Sequence, residues 1–290
     1  MSPTALDESV YPASKELRGR GAPDPDVLLL MATGVGLLPS SFHAQWQLPL
    51  ESVAGVPRAW RGLTLSAAES NGATFWFLDD APGEADFPGG ETTAPGPEPW
   101  MRAFPAWLAA CSGATLCVHT SAGTRLGPTA AEDRGRIGLV RDHINLSGRT
   151  PLAGLGESRL GPLFPDQSRL HHPGLRRLAL QHAERLGLRP LEGVAACTAG
   201  PALETPAERA YYHRAGADFA VQGLADPLIA LAHSSLSCLS LVALIGAGDD
   251  APDVAGIVES ATEVAPALED LLRELAPDLA KVAFEEREEL

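Results

Sequence analysis

An α/β fold, with a twisted mixed central β-sheet flanked by helices, is what this 290-residue sequence predicts. Three observations predict it. Short apolar runs alternate with amphipathic helical stretches almost throughout, a pattern that favours parallel pairing for much of the sheet. The chain is long enough to bury a substantial core. Several apolar runs stop at small-residue turns, Thr33-Gly34, Ser121-Ala122-Gly123 and Ala199-Gly200-Pro201. In open α/β sheets, ligands bind beyond the carboxyl ends of the strands, so these turns are the expected floor of one site.

The elements follow in chain order. Residues 1–23 read as a polar, loosely ordered lead-in, and residues 24–290 as the α/β domain. The apolar runs 27–31 (VLLLM) and 73–78 (ATFWFL) read as strands. Residues 79–100 are rich in Pro and Gly and lack periodicity, which predicts a long surface loop. Helical spacing covers 101–110, and 114–119 reads as a strand ending at 120–123. Segments 137–140 and 142–146 read as separate short strands. Residues 173–186 form an amphipathic helix with Leu175, Leu178, Ala179, His182 and Leu186 on one stripe. A strand over 194–198 precedes Thr205-Pro206-Ala207-Glu208, whose Pro and Thr/Glu spacing announce a helix start with a capping box. That helix is expected to end near Gly216, before a strand at 219–221. Segment 252–290 reads as a long acidic helix, broken at Pro266 and Pro277, with a stripe of Ile257, Val258, Ala261, Val264, Leu268, Leu272 and Leu275.

Composition excludes several function classes. Hydrophobic residues make up 45% and charged residues 20%, the balance of a soluble globular protein. A net charge of -15 repels phosphate backbones, and no Lys/Arg run offsets it, so no nucleic-acid partner is expected. Segment 228–248 lacks Asp, Glu, Lys and Arg, but His233 and its serines dilute it, and Asp226-Pro227 makes a helix start. It reads as a helix over 227–235 followed by a strand over 238–245, with no membrane partner. The first ten residues, MSPTALDESV, lack the apolar core of a signal peptide, and the four cysteines form no CxxC pair. Free buried thiols in a reducing cytoplasm are the expectation.

The motifs carry less. Thr33-Gly34-Val35-Gly36 is neither a dinucleotide fingerprint, since Pro39 stands at the third glycine, nor a P-loop. It reads either as a tight turn or as a hydroxyl and backbone N–H cradle for an anion, with Thr33 as the hydroxyl. The histidines are scattered, and His171-His172 are neighbours that rarely face one metal together, so no metal is expected. Glu204 reads either as a carboxylate interacting with the helix N-terminus or as one aimed into the site.

Four stretches resemble the trimeric purine nucleoside phosphorylases. ATGVG (32–36) is similar to their phosphate loop, and DHINLSGRTPLAG (142–154) to their Asp-His-Ile-Asn-Leu segment. LFPDQS (163–168) is similar to Arg-Phe-Pro-x-x-Ser. AGPALETPAER (199–209), followed by GAD (216–218), is similar to Ala-Gly-Pro-x-Phe-Glu-Thr-x-Ala-Glu and Gly-Ala-Asp. The resemblance implies a single-domain nucleoside phosphorylase-like fold, a homotrimer with a site near each interface, and phosphorolysis of the N-glycosidic bond of a purine nucleoside. Inorganic phosphate would be the co-substrate, with no other cofactor. It implies that Glu204 hydrogen-bonds the purine, that Thr33, Ser121 and Ala122 lie on phosphate, that Leu203 and Gln222 line the base and ribose pocket, and that Phe164 reaches into a neighbour's site.

The departures from that pattern are specific. The family's Arg-x-His-x-Tyr-Glu-Gly falls in loop 79–100, which has no Arg, His, Lys or Tyr and carries Asp79, Asp80, Glu84, Asp86, Glu91 and Glu98. The later phosphate serine falls on Gly223, the purine-binding Thr-Asn on Ile245-Gly246, and the stacking Phe on Leu203. Arg125 reads either as a surface arginine or as a replacement anion donor. Two readings result: a phosphorylase-type enzyme with an altered phosphate site, or a catalytically degenerate, trimeric purine-binding or scaffold protein.

Overall fold

The computed structural model describes residues 4–31, 35–80, 98–127, 135–247 and 254–289. Its centre is a nine-stranded mixed sheet of β1 (Val27–Met31), β2 (Trp46–Pro49), β3 (Thr64–Ser70), β4 (Ala73–Asp79), β5 (Leu116–Arg125), β6 (Ile137–Asn145), β7 (Leu191–Thr198), β8 (Phe219–Gln222) and β9 (Ser237–Ala247). The order is β2-β3-β4-β1-β5-β8-β7-β6-β9, and β9 returns to pair with β5. Strands β5, β8, β7, β6 and β9 therefore close into a barrel, and the rest of the sheet extends from β5. Pairing is parallel between β1 and its neighbours β4 and β5, and antiparallel at β2–β3, β3–β4, β5–β8 and β6–β9. The sheet is thus less parallel than strand–helix alternation alone implies.

β1 explains its own sequence. Leu28 and Leu30 enter the core on one side of the sheet, and Val27, Leu29 and Met31 the core on the other. A strand covered on both faces must be apolar at every position, hence VLLLM. The first core is covered by α1 (Ala5–Glu8), α2 (Val10–Gly19), α4 (Phe104–Ser112) and α7 (Ala225–His233). The second is covered by α3 (Leu38–Ser41), α5 (Pro173–Arg185) and α8 (Val254–Glu289). The remaining helix, α6 (Pro206–Arg214), starts with the capping box read from Thr205 and Glu208.

Several expectations are corrected. Residues 5–19 are not a loose lead-in: Thr4 and Asp7 cap α1 reciprocally, and Leu6, Val10, Ala13 and Leu17 are buried. β2 and β3 were not foreseen. β5 does not stop at His119 but runs through Ser121, Ala122 and Gly123, because β9 pairs with it over that whole length. Segments 137–140 and 142–146 are one strand with a register break at Arg141. α8 continues through Pro266 and Pro277, since its buried row from Ala261 to Leu279 packs on α5 and β9. α6 stops at Arg214, and Leu186 lies past the end of α5 and is exposed. Most of the acidic loop, 81–97, lies outside the described residues. Segment 225–247 splits into α7 and β9 as read, and no described helix is long and apolar enough to cross a membrane.

One close approach yields a stability prediction. A Cβ on Gly161 would lie 1.5 Å from the His233 carbonyl oxygen, a backbone atom at the end of α7. The turn carrying Gly161 must shift off α7 to admit a methyl group. Gly161→Ala is expected to destabilise the fold by about 3 kcal/mol, the upper part of the usual overpacking range, read as a lowered Tm in calorimetry. An unchanged Tm would refute this packing.

Candidate functional site

A cavity of about 780 Å³ opens where the barrel meets the extended sheet. Its floor is Ser121 to Thr124 of β5, with Ala220 and Gln222 of β8 and Ile245 of β9. The loop after β7 supplies Ala199, Gly200, Pro201, Leu203 and Glu204. This loop is a true turn: Gly200 has φ +58°, and a Cβ there would sit 2.4 Å from the Gln222 Oε1. The cavity is also lined by Asp80, Arg102, His119, Arg149 and Asp226.

Glu204 is only 7% exposed although it lies in a loop. Thr198 Oγ1 donates to its Oε1 at 3.1 Å, and Gln222 Nε2 approaches the same oxygen at 3.5 Å while donating to the Ala202 carbonyl at 2.9 Å. Among the described residues, both contacts fall on Oε1, so Oε2 keeps its acceptor capacity for whatever fills the cavity. The carboxylate sits before the N-cap Thr205, but the capping bonds of α6 are made by Thr205 and Glu208. Glu204 is thus released from helix duty.

Asp80, Arg102, His119, Arg149 and Asp226 are charged or titratable. His119, buried in β5, places Nε2 2.8 Å from Asp80 Oδ2 at the end of β4. Its Nδ1 is buried without a hydrogen-bond partner among the described residues. Arg149, from the loop after β6, donates through Nη2 to the Ala199 carbonyl at 2.9 Å. Its Nε lies 3.7 Å from Asp226 Oδ2. Burial raises the Asp226 carboxyl above the ordinary range, against the opposing pull of Arg149 and Arg102. Burial, then the neighbouring Arg149 cation, lower Arg102.

The residues expected from sequence separate into groups. Ser121, Ala122, Leu203, Glu204 and Gln222 come together around the cavity. Ser121 and Ala122 do so from within β5, not from a loop. Thr33 lies outside the described residues. Phe164 is 89% exposed and does not line this cavity. Arg125 is not among the residues that line it. Its Nη1 donates to the Leu126 and Asp218 carbonyls at 2.9 Å, and its guanidinium lies over the Phe219 ring, because the antiparallel β5–β8 register sets it opposite Phe219, away from Gln222. Arg102, Arg149, Asp226 and the His119–Asp80 pair were not foreseen as a group. Arg149 lies inside the segment 142–154, but no spacing marks it as a site residue.

The model of one family, the phosphorylase superfamily, matches residues 104–276. The chain belongs to the phosphorylase superfamily. Among curated members, purine nucleoside phosphorylase 1 of Geobacillus stearothermophilus is 26% identical over 244 residues, covering 83% of this chain and 84% of that protein. Purine nucleoside phosphorylase of Mycobacterium tuberculosis is 36% identical over 146 residues, 50% of each chain. A Schistosoma purine nucleoside phosphorylase solved with hypoxanthine superposes with a TM-score of 0.82 at 19% identity, covering 96% of this chain and 99% of that one. In this superfamily member the α/β architecture expected from sequence is present, and its cavity combines a buried carboxylate with a lining of mixed charge.

Proposed function

We propose that this chain cleaves the N-glycosidic bond of a purine nucleoside by phosphorolysis, with inorganic phosphate as co-substrate and no other cofactor. The observation that carries the reading is Glu204: a buried carboxylate lining the cavity with one oxygen uncommitted. Such a group accepts hydrogen bonds from the N–H edge of a purine and fixes the base in the cavity. Arg102 and Arg149 supply charge-assisted donors for phosphate there, in place of the basic residues missing from segment 79–100. A phosphate oxygen bonds to C1′ as the C1′–N bond breaks, and the bonding pair departs with the base. The bulk of the exposed Phe164 supports a homotrimer in which it completes a neighbouring copy's site. The free Cys111, Cys117, Cys197 and Cys238 support a cytoplasmic location.

A second reading rests on Asp80 and Asp226, which set two carboxylates beside the two arginines. A wall so balanced attracts an anion weakly, which favours a purine-binding protein without turnover. Incubation with inosine, guanosine and adenosine, with and without phosphate, separates the two. Phosphate-dependent release of base is expected. A thermal shift with free base alone, and no release from any nucleoside, would establish the second reading.

A further inference from the structure

β6 leaves β9 after Leu139 and slips register against β7 at Arg141, so from Asp142 onward it pairs with β7 alone. The opening beside it is filled by the segment entering α5, where His171 bridges to Cys238 of β9. This packing sets His171 against His143, with His143 Nδ1 3.0 Å from His171 Nε2. Asp142, His143 and His171 each offer a ligand atom, and those atoms lie within 4.8 Å of one another. We infer that Asp142, His143 and His171 form a binding site for a divalent transition metal of the zinc class, on the opposite flank of β6 from the Arg149 loop.

The geometry fits. Two nitrogens each about 2.0–2.1 Å from a tetrahedral ion stand roughly 3.3 Å apart, so the rings need part by only a few tenths of an ångström. Imidazole nitrogen with one carboxylate is a donor set suited to zinc, cobalt or nickel rather than to magnesium or calcium. Asp142 Oδ1 accepts from the His143 backbone N–H at 2.8 Å, which orients the carboxylate and leaves Oδ2 for the ion. Gln167 lies against His143, and its Oε1 is buried without a partner among the described residues. It is the acceptor that a metal-bound His143 requires for its far N–H. Asp142 is exposed, so the ion has a path in and a coordination position open to water. Bound there, it would clamp the 163–171 segment onto β6.

The test uses the full chain, stripped with chelator and titrated with Co2+ under visible absorption, then with Zn2+ in competition. Stoichiometric Co2+ binding with d–d bands of a tetrahedral or five-coordinate site, displaced by Zn2+, is expected. His143→Ala should abolish the bands and the exposed Asp142→Asn should weaken binding at least tenfold, while Gln167→Ala weakens it about 10- to 100-fold. Circular dichroism checks each variant's fold, and Asp142→Asn, at the surface, serves if His143→Ala fails to fold. Absence of binding at millimolar metal, or binding that Asp142→Asn and His143→Ala leave unchanged, would overturn the assignment.

Discussion

Glu204→Ala is expected to lower kcat/KM for a purine nucleoside about 10²–10³-fold, the cost of removing one buried hydrogen-bonding group that holds the transition state. Glu204 is buried beside Thr198 and Gln222, neither of which carries a carboxylate to take its place. Glu204→Gln keeps the volume and presents an amide where a charged acceptor stood, and should lose most of the same factor. Because the capping bonds of α6 run through Thr205 and Glu208, neither change removes the helix cap, and Tm should move little. Steady-state kinetics with inosine and guanosine decide the matter. A Glu204→Ala enzyme within about threefold of the parent would remove Glu204 from the site.

Arg149→Met should raise the KM for phosphate roughly 10- to 100-fold, the worth of one charge-assisted hydrogen bond. It should also destabilise the fold, since it leaves Asp226, 4% exposed, without its nearest cation. The two effects separate in Arg149→Met/Asp226→Asn, which is expected to recover stability without recovering phosphate dependence. The pH dependence has a definite sign. Asp226 already titrates above the ordinary carboxylate range, and losing Arg149 raises it further. A carboxyl with a raised folded-state value favours the fold while protonated. The variant's deficit should therefore vanish below roughly pH 4, and grow as pH rises through the elevated Asp226 value. Denaturant titrations at several pH values check this. A deficit unchanged down to acid pH would mean that Asp226 is not its cause.

Much of the fold is legible in the sequence where burial is two-sided or periodic. β1 and the buried row of α8 announce themselves by composition alone. The failures have physical causes. β3, Thr64–Ser70, is built of small residues because it is crowded between β2 and β4, and small residues carry little strand signal. The N-terminal helices hide under a polar composition, though Leu6, Val10, Ala13 and Leu17 recur at helical spacing. In the site, Glu204 stands out because a local turn-and-cap pattern frames it. Arg102 and Arg149 do not, since only the closing of the barrel brings a turn before α4 and a loop after β6 to one wall. Arg125 illustrates the converse: it follows the site residues directly in sequence, yet the β5–β8 register sets it opposite Phe219, beyond the cavity lining. The His143–His171 contact joins β6 to the entry of α5 and has no fixed spacing to betray it.

The barrel has a consequence for aggregation. An open sheet ordinarily offers two rows of unpaired backbone groups, and growth of a fibre by strand addition uses both. Here β9 folds back onto β5, so one of those rows is consumed inside the molecule. Among the described strands, β2 is the one whose whole length lies at an edge, and it is short, alternately exposed, and ends in Pro49, which has no amide hydrogen to give. Among the described strands, the full-length edge open to strand addition is thus a single short one.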